Sequence, residues 1–289
     1  SMLRGIGRSD ADLVHFHGCR SIHLMYALVA LRARRLGLPL VAQDHGPRSV
    51  GPLMESLLSY ALARTDRVLP ANAGSEEELR DRGLSEPDLV RMPNGIDPRL
   101  FKPEEQPGTG PGTPFRVLAV FRMWEDKDPM TMVRAVRRFA RKHRVRLTHV
   151  GGGPLEDQVR SALADAPLAT EYLGRVSQER LAELYRVSDA LVLPSLREGF
   201  NQVTIEAMAS GLPVVATDID GIRDGVGSAG TLIQPGDHEA LAAALERLCE
   251  DPEAWRRHRE AGLERAKSFT WSQIARKLHD VYLSVLEDD

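Results

Sequence analysis

Two glutamates eight positions apart, Glu198 and Glu206, flank a segment able to start a helix. Asn201 between them is a good N-cap residue. The first amides of a helix opened there are donors at its positive end, which suits a diphosphate. Glu206, a turn or so inside, is a carboxylate able to accept two hydroxyl hydrogen bonds, as from a ribose. The pair could hold the two ends of one nucleotide sugar. It fits equally a capped helix with two solvated carboxylates, because glutamates at this spacing are common. Upstream, Arg122 and Lys127 follow an apolar run. A guanidinium grips phosphate oxygens bidentately and an ammonium adds a point charge. Together they can neutralise a leaving diphosphate, a task that a metal ion performs elsewhere. The plainer reading is two surface cations on a loop.

These residues follow short apolar runs that alternate with amphipathic stretches. Runs at 12–17, 39–43, 67–70 and 89–92, then at 115–121, 146–150, 171–173, 190–194 and 213–217, read as strands, with a short edge run at 230–234. Helical patterns lie between them, near 21–36, 52–64, 74–82, 128–142, 154–165, 177–187 and 202–210. The tail reads as helices at 237–250, 252–267 and 270–286. This rhythm is that of an α/β protein with parallel, helix-covered sheets, which bind ligands at the carboxyl ends of their strands. Residues 102–114, rich in Pro and Gly, break the rhythm and mark a linker. The expected organisation is therefore a first domain over 2–101, a linker over 102–114, a second domain over 115–269 and a C-terminal helix over 270–289. Ser1, ahead of Met2, is set aside as a cloning remnant.

Composition narrows the function. A chain of 289 residues suggests roughly two domains. A net charge of −3 supplies no global basic field for nucleic acid. Cys19 and Cys249 form neither a disulfide framework nor a metal-ligand spacing, so a cytoplasmic protein is expected. No apolar run approaches a membrane span. Seven Arg and Lys residues over 134–146 leave a peripheral membrane contact or an acidic-acceptor patch open beside the plainer reading of a solvated helix face.

The string Leu193-Pro-Ser-Leu-Arg-Glu-Gly-Phe-Asn-Gln-Val-Thr-Ile-Glu-Ala-Met-Ala-Ser-Gly-Leu-Pro-Val-Val-Ala216 resembles the signature of the retaining glycosyltransferases with the GT-B fold, family four, the glycosyl transferases group 1. Arg122 and Lys127 match that family's basic pair, in which the lysine is followed by Gly or Asp. His149-Val-Gly-Gly-Gly-Pro154 resembles its glycine turn, and Met92–Phe101 its interdomain segment. The resemblance implies two Rossmann-like domains with parallel sheets facing across a cleft. It implies a nucleotide-diphosphate sugar, UDP- or GDP-linked, as substrate, with no cofactor and no metal, and an acceptor hydroxyl whose owner is unknown. In that setting Glu198 binds hydroxyls of the transferred sugar. Gly199, Phe200, Asn201 and Gln202 line sugar and phosphates, and Glu206 holds the ribose. The backbone near Val176 contacts the base, and Gly152 lies in the phosphate-facing turn. His15 and His17 share one side of a strand by alternation; by resemblance His17 lies near the anomeric centre. His45-Gly46 resembles a second family histidine. The last helix is expected to cross back to the first domain.

Three departures from the pattern carry consequences. Relatives have a further βαβα segment before the strand ending at His17, so the first domain is expected to be abbreviated. That reads as a natural short form, a trimmed chain, or one completed by a partner or second copy covering an exposed edge or face. Phe121 stands where glycine is usual and narrows the phosphate loop if it points inward, or changes nothing if it points into the core. Asn201, also at a usual glycine, either caps the helix or touches phosphate. Two other readings stand beside the transferase: a non-catalytic nucleotide-sugar-binding scaffold, and a sugar-nucleotide epimerase on the same fold.

Overall fold

Brief runs of Val, Leu and Ala, bounded by Gly, Pro or Asp, form strands because they are too short to make a helix and apolar on both faces. The structure is a computed structural model that describes residues 10–18, 23–44, 52–84, 88–104 and 110–287. Cys19 and the His45-Gly46 pair lie outside the described residues. By contact density the chain divides into two units, one running to Gly95 and resuming at Trp271, the other spanning Ile96–Thr270.

In the first unit β1 (Val14–His17), β2 (Leu40–Asp44) and β3 (Arg67–Pro70) form a parallel sheet in that order. Helices α1 (His23–Arg35), α2 (Pro52–Leu62) and α3 (Ala73–Asp81) follow the strands in turn. One core gathers Phe16, Tyr26, Val29, Leu40 and Leu58. A second core joins Val41, Leu69 and Met92 to Ile274, Val281 and Val285 of the last helix, α11 (Trp271–Glu287). Its apolar residues recur on one helical stripe, and that stripe covers the sheet of this unit.

The second unit is a six-stranded parallel sheet in the order β6-β5-β4-β7-β8-β9. The strands are β4 (Phe115–Val120), β5 (Val145–Val150), β6 (Ala169–Tyr172), β7 (Ala190–Leu193), β8 (Val214–Thr217) and β9 (Thr231–Ile233). The helices are α4 (Pro129–Ala140), α5 (Glu156–Leu163), α6 (Gln178–Val187), α7 (Gln202–Ala209), α8 (Asp220–Val226), α9 (His238–Glu250) and α10 (Pro252–Ala266). The chain runs outward from β4 to β6, then returns to place β7 on the other side of β4. Strand order therefore reverses between β4 and β7, the point where open parallel sheets form a crevice beyond their strand ends.

One expected strand is only partly formed, and one helix forms where none was expected. Residues 89–92 are not a full strand but run beside β3: Leu89 bridges Val68, and the amides of Val90 and Met92 donate to the carbonyls of Val68 and Pro70 at 3.0 and 2.8 Å. Helix α8 carries two glycines in Asp-Gly-Ile-Arg-Asp-Gly-Val, a poor helical sequence. Tertiary packing holds it, with Gly221 against the carbonyls of Glu198 and Gly199 and Gly225 against Ile205. The stretch 102–114 lies inside the second unit. Ile96 donates to the Phe269 carbonyl at 2.8 Å, Phe101 packs on Tyr185, and the Gly112 amide donates to Asp189 at 3.1 Å. Those contacts tie the flanks of the Pro/Gly-rich run to Phe269, to α6 and to the residue that precedes β7.

Candidate functional site

At the end of β4 the chain turns through Phe121–Asp128. Phe121 is buried, edge-on to His149 with ring centroids 4.8 Å apart. It points into the core, so of the two outcomes for a bulky residue here the harmless one holds. Arg122 is exposed beside it. The 3₁₀ turn Glu125–Lys127 then brings Lys127 inward, where it is only 9% exposed. Asp128 has φ 41, a left-handed conformation that glycine, Asn and Asp tolerate best. Its side chain caps α4 by accepting from the amide and hydroxyl of Thr131. A left-handed capping position explains why Lys-Gly and Lys-Asp are interchangeable in the motif.

β7 ends across the crevice and delivers Ser195 and Glu198. The Ser195 hydroxyl donates to Glu198 Oε1 at 2.7 Å, while the Thr217 hydroxyl donates to the Ser195 carbonyl at 2.5 Å. Lys127 Nζ lies 3.0 Å from the same Glu198 oxygen, 3.3 Å from Asp126 and 2.9 Å from the Arg197 carbonyl. The Leu196 amide donates to the Asp126 carbonyl at 2.9 Å, so the two loops are also tied through backbone. Residues 71 positions apart in sequence, Lys127 and Glu198, thus meet as an ion pair. Ser195 belongs to the same constellation, although its place within the motif carries no signal of that bond.

Asn201 follows: its side chain accepts from the Thr204 amide at 3.0 Å, and its own amide donates to the Gly221 carbonyl at 2.9 Å. It caps α7. Gly199, Phe200 and Gln202 sit around that helix entrance, partly buried, with Phe200 packed on Phe269. One turn on, Glu206 is 6% exposed. Its Oε2 accepts from the Tyr185 hydroxyl at 3.0 Å. Burial pushes the Glu206 carboxyl up to about 7, against the pull of that hydrogen bond. No sequence signal singled out Tyr185, an aromatic on the apolar face of α6.

The glycine turn supports the Arg122 loop. Gly151 has φ 114, and a Cβ there would run into the Phe121 carbonyl; one on Gly153 would come 2.5 Å from the Met123 carbonyl. Gly152 accepts from the Met123 amide at 3.1 Å through its carbonyl. The Gly151 amide donates to the Gly174 carbonyl at 2.6 Å, which joins this turn to the segment carrying Val176, itself partly buried. Behind them His149 is fully buried and held neutral, its pKa lowered to about 4 by desolvation.

Among the described residues no group of three or more His, Cys, Asp or Glu is placed to hold a metal ion. The Asp-x-Asp triplets of this unit are spent on pairing and capping: Asp126 on Lys127, Asp128 on α4, Asp218 and Asp220 on Arg223. In the cationic stretch Arg137, Arg138 and Lys142 pair with Asp165, Glu239 and Glu246. Such pairing fits the solvated helix face. Among the described residues no helix is long and apolar enough to cross a membrane.

His17 belongs to the other unit. It ends β1, exposed, and stacks on His15 at 4.2 Å, on the shared side that alternation required. His15 Nδ1 is 2.6 Å from the Tyr282 hydroxyl of α11. The C-terminal helix therefore buttresses the histidine pair.

Residues 114–251 match the family described as Glycosyl transferases group 1, and residues 1–100 match Glycosyltransferase Family 4. The chain is 31% identical to the D-inositol 3-phosphate glycosyltransferase of Streptomyces griseus, over 96% of this chain and 68% of that one. It is 29% identical to a glycogen synthase of Mycobacterium tuberculosis, over 94% and 69% respectively. Among solved structures it is similar to Anabaena Alr3699/HepE in complex with UDP and glucose, with a TM-score of 0.80 and 19% identity over 98% of this chain and 80% of that chain.

Proposed function

The chain belongs to the glycosyl transferases group 1 and has the GT-B fold, and on that premise we propose that it moves a hexose from a UDP- or GDP-sugar to an acceptor hydroxyl, with retention and without a metal ion. The observation that carries this reading is the meeting of Lys127 and Glu198 at 3.0 Å in the crevice where strand order reverses.

In the reaction the bond from the anomeric carbon to the diphosphate oxygen breaks, a bond to the acceptor oxygen forms, and the acceptor's proton passes to the leaving diphosphate. Negative charge develops on the leaving diphosphate. Arg122 and Lys127 stabilise it there, where a fixed cation lowers the barrier most. Lys127 has three N–H donors, directed at Arg197, Asp126 and Glu198. A phosphate oxygen reaching Nζ replaces one of those bonds. Glu198, still oriented by Ser195, then accepts from hydroxyls of the sugar. Glu206 accepts from the ribose, Val176 and Gly152 lie on the base and phosphate side, and the entrance of α7 faces the diphosphate. His17, on the first unit, orients the sugar or the acceptor hydroxyl. Two findings on similar proteins support the reading: Alr3699/HepE was solved with UDP and glucose, and the relatives' names are those of glycosyltransferases.

The test is calorimetry with UDP, GDP, ADP and their sugar conjugates, in EDTA and in Mg²⁺. Binding of one nucleotide sugar with equal affinity in both buffers is expected, followed by transfer that keeps the anomeric configuration by NMR. Binding by none of them overturns the reading. A requirement for Mg²⁺ overturns its metal-free part, and a free epimerised donor as product overturns the transferase assignment.

A further inference from the structure

Tyr185 has no place in the proposed chemistry, yet its hydroxyl makes a hydrogen bond to the carboxylate of a residue that does. It rises from α6, is 1% exposed, and packs its ring against Phe101 with centroids 6.0 Å apart. Its hydroxyl donates to Glu206 Oε2 at 3.0 Å. Glu206 has no ion pair among the described residues. A buried carboxylate without a cation is costly unless donors satisfy it. Its two oxygens offer about four lone-pair sites, and the tyrosine fills one.

We propose that Tyr185 is a positioning residue for nucleotide recognition: its hydroxyl fixes one oxygen of Glu206 so that the carboxylate is held ready to accept from both hydroxyls of a ribose. The proposal rests on the ribose reading of Glu206. A glutamate side chain has three torsions, and ordering it on binding costs rotamer freedom. A donor anchored by a ring inside the core removes that cost beforehand. The same bond opposes the effect of burial and favours the charged form that accepts best from hydroxyls. Tyrosine also fits a simpler role as core filler, and phenylalanine would serve that equally.

The experiment is calorimetric titration of the whole chain, wild type, Y185F and E206A, with UDP and GDP and with their 2′,3′-dideoxy counterparts. Wild type should prefer the ribose form of the nucleotide it binds. Y185F keeps the ring and should lose about tenfold in affinity for that form, the scale of a hydrogen bond to a charged group, with the dideoxy form unaffected. The ribose preference should thus shrink toward that of E206A. Equal weakening toward both forms, or no change in either, overturns the positioning role. If E206A keeps the full ribose preference, the ribose reading of Glu206 falls and takes the proposal with it. Thermal unfolding of Y185F within a few degrees of wild type shows that the comparison is between folded proteins.

Discussion

At the scale of the residue, one ion pair and one buried carboxylate decide most of what is proposed. Lys127→Ala leaves Glu198 without its 3.0 Å cationic partner and, on the proposed reading, removes a cation from the leaving diphosphate. Turnover with the nucleotide sugar is expected to fall roughly 10²–10³-fold, the usual loss for one fixed electrostatic group at a developing charge. Steady-state kinetics checks it, and a loss confined to KM would assign Lys127 to ground-state binding. Glu206 gives the pH signature. Its pKa stands at about 7 against 4.5 ordinarily, so the folded state holds its proton more tightly than the unfolded chain. The stability this confers is complete below 4.5 and is lost as pH rises through about 7. Glu206→Gln, which stays neutral, should escape that loss. Denaturant midpoints of wild type and variant should converge at low pH and separate, in favour of the variant, as pH climbs. On the proposed ribose reading, ribose hydroxyls favour the ionised carboxylate, so nucleotide affinity should rise over the same interval, with proton release visible when calorimetry is repeated in buffers of different ionisation enthalpy.

At the scale of the element, the loops of the candidate site owe their positions to glycines in the segments behind them. A Cβ on Gly221, in α8, would come 2.5 Å from the Glu198 carbonyl and meet the Gly199 carbonyl too. These are backbone atoms that no rotamer change moves aside. Gly221→Ala should therefore displace the 198–200 loop, at about 1–3 kcal/mol of stability, and weaken sugar-conjugate binding more than binding of the bare nucleotide. Differential calorimetry with the two ligands reads this directly, and equal weakening of both would show that the loop had not been the part displaced. Helix α8 was not visible as a helix in the sequence because its two glycines disfavour one. Its glycines are there for close approach, Gly221 to the carbonyls of Glu198 and Gly199 and Gly225 to Ile205, a requirement set far upstream and therefore silent in any local pattern. The caps read from sequence fare differently. Asn201 was legible as the start of α7 because an N-cap acts within three residues, through its bond to Thr204.

At the scale of the whole molecule, the chain leaves its first unit at Gly95 and returns to it at Trp271. The return supplies Ile274, Val281 and Val285 to a core completed by Val41, Leu69 and Met92. It also brings Tyr282 to His15, and so reaches the histidine pair that ends β1. Deleting residues 271–289 should expose an apolar face on β2 and β3. The expected result is loss of the cooperative unfolding transition of the first unit and dye binding to exposed apolar surface, with the second unit's transition kept. A truncated chain that unfolds as cooperatively as the full one would show that α11 is dispensable to that core.

What the sequence determined by itself is what short range can encode. The parallel α/β alternation follows from apolar runs of strand length set between amphipathic stretches. The cap of α7 and the basic pair after β4 follow from residue types within a few positions of each other, and the motif around Glu198 and Glu206 was sufficient to indicate the family. The tertiary structure alone decided which side chains meet. It joined Glu198 to Lys127 and Ser195, gave Glu206 the hydroxyl of Tyr185, turned Phe121 into the core, and brought Gly112 to Asp189. Each of these depends on strands from distant parts of the chain lying side by side. A hydrogen bond or ion pair acts over about 3 Å of space, and nothing in the spacing of the residues along the chain records that distance.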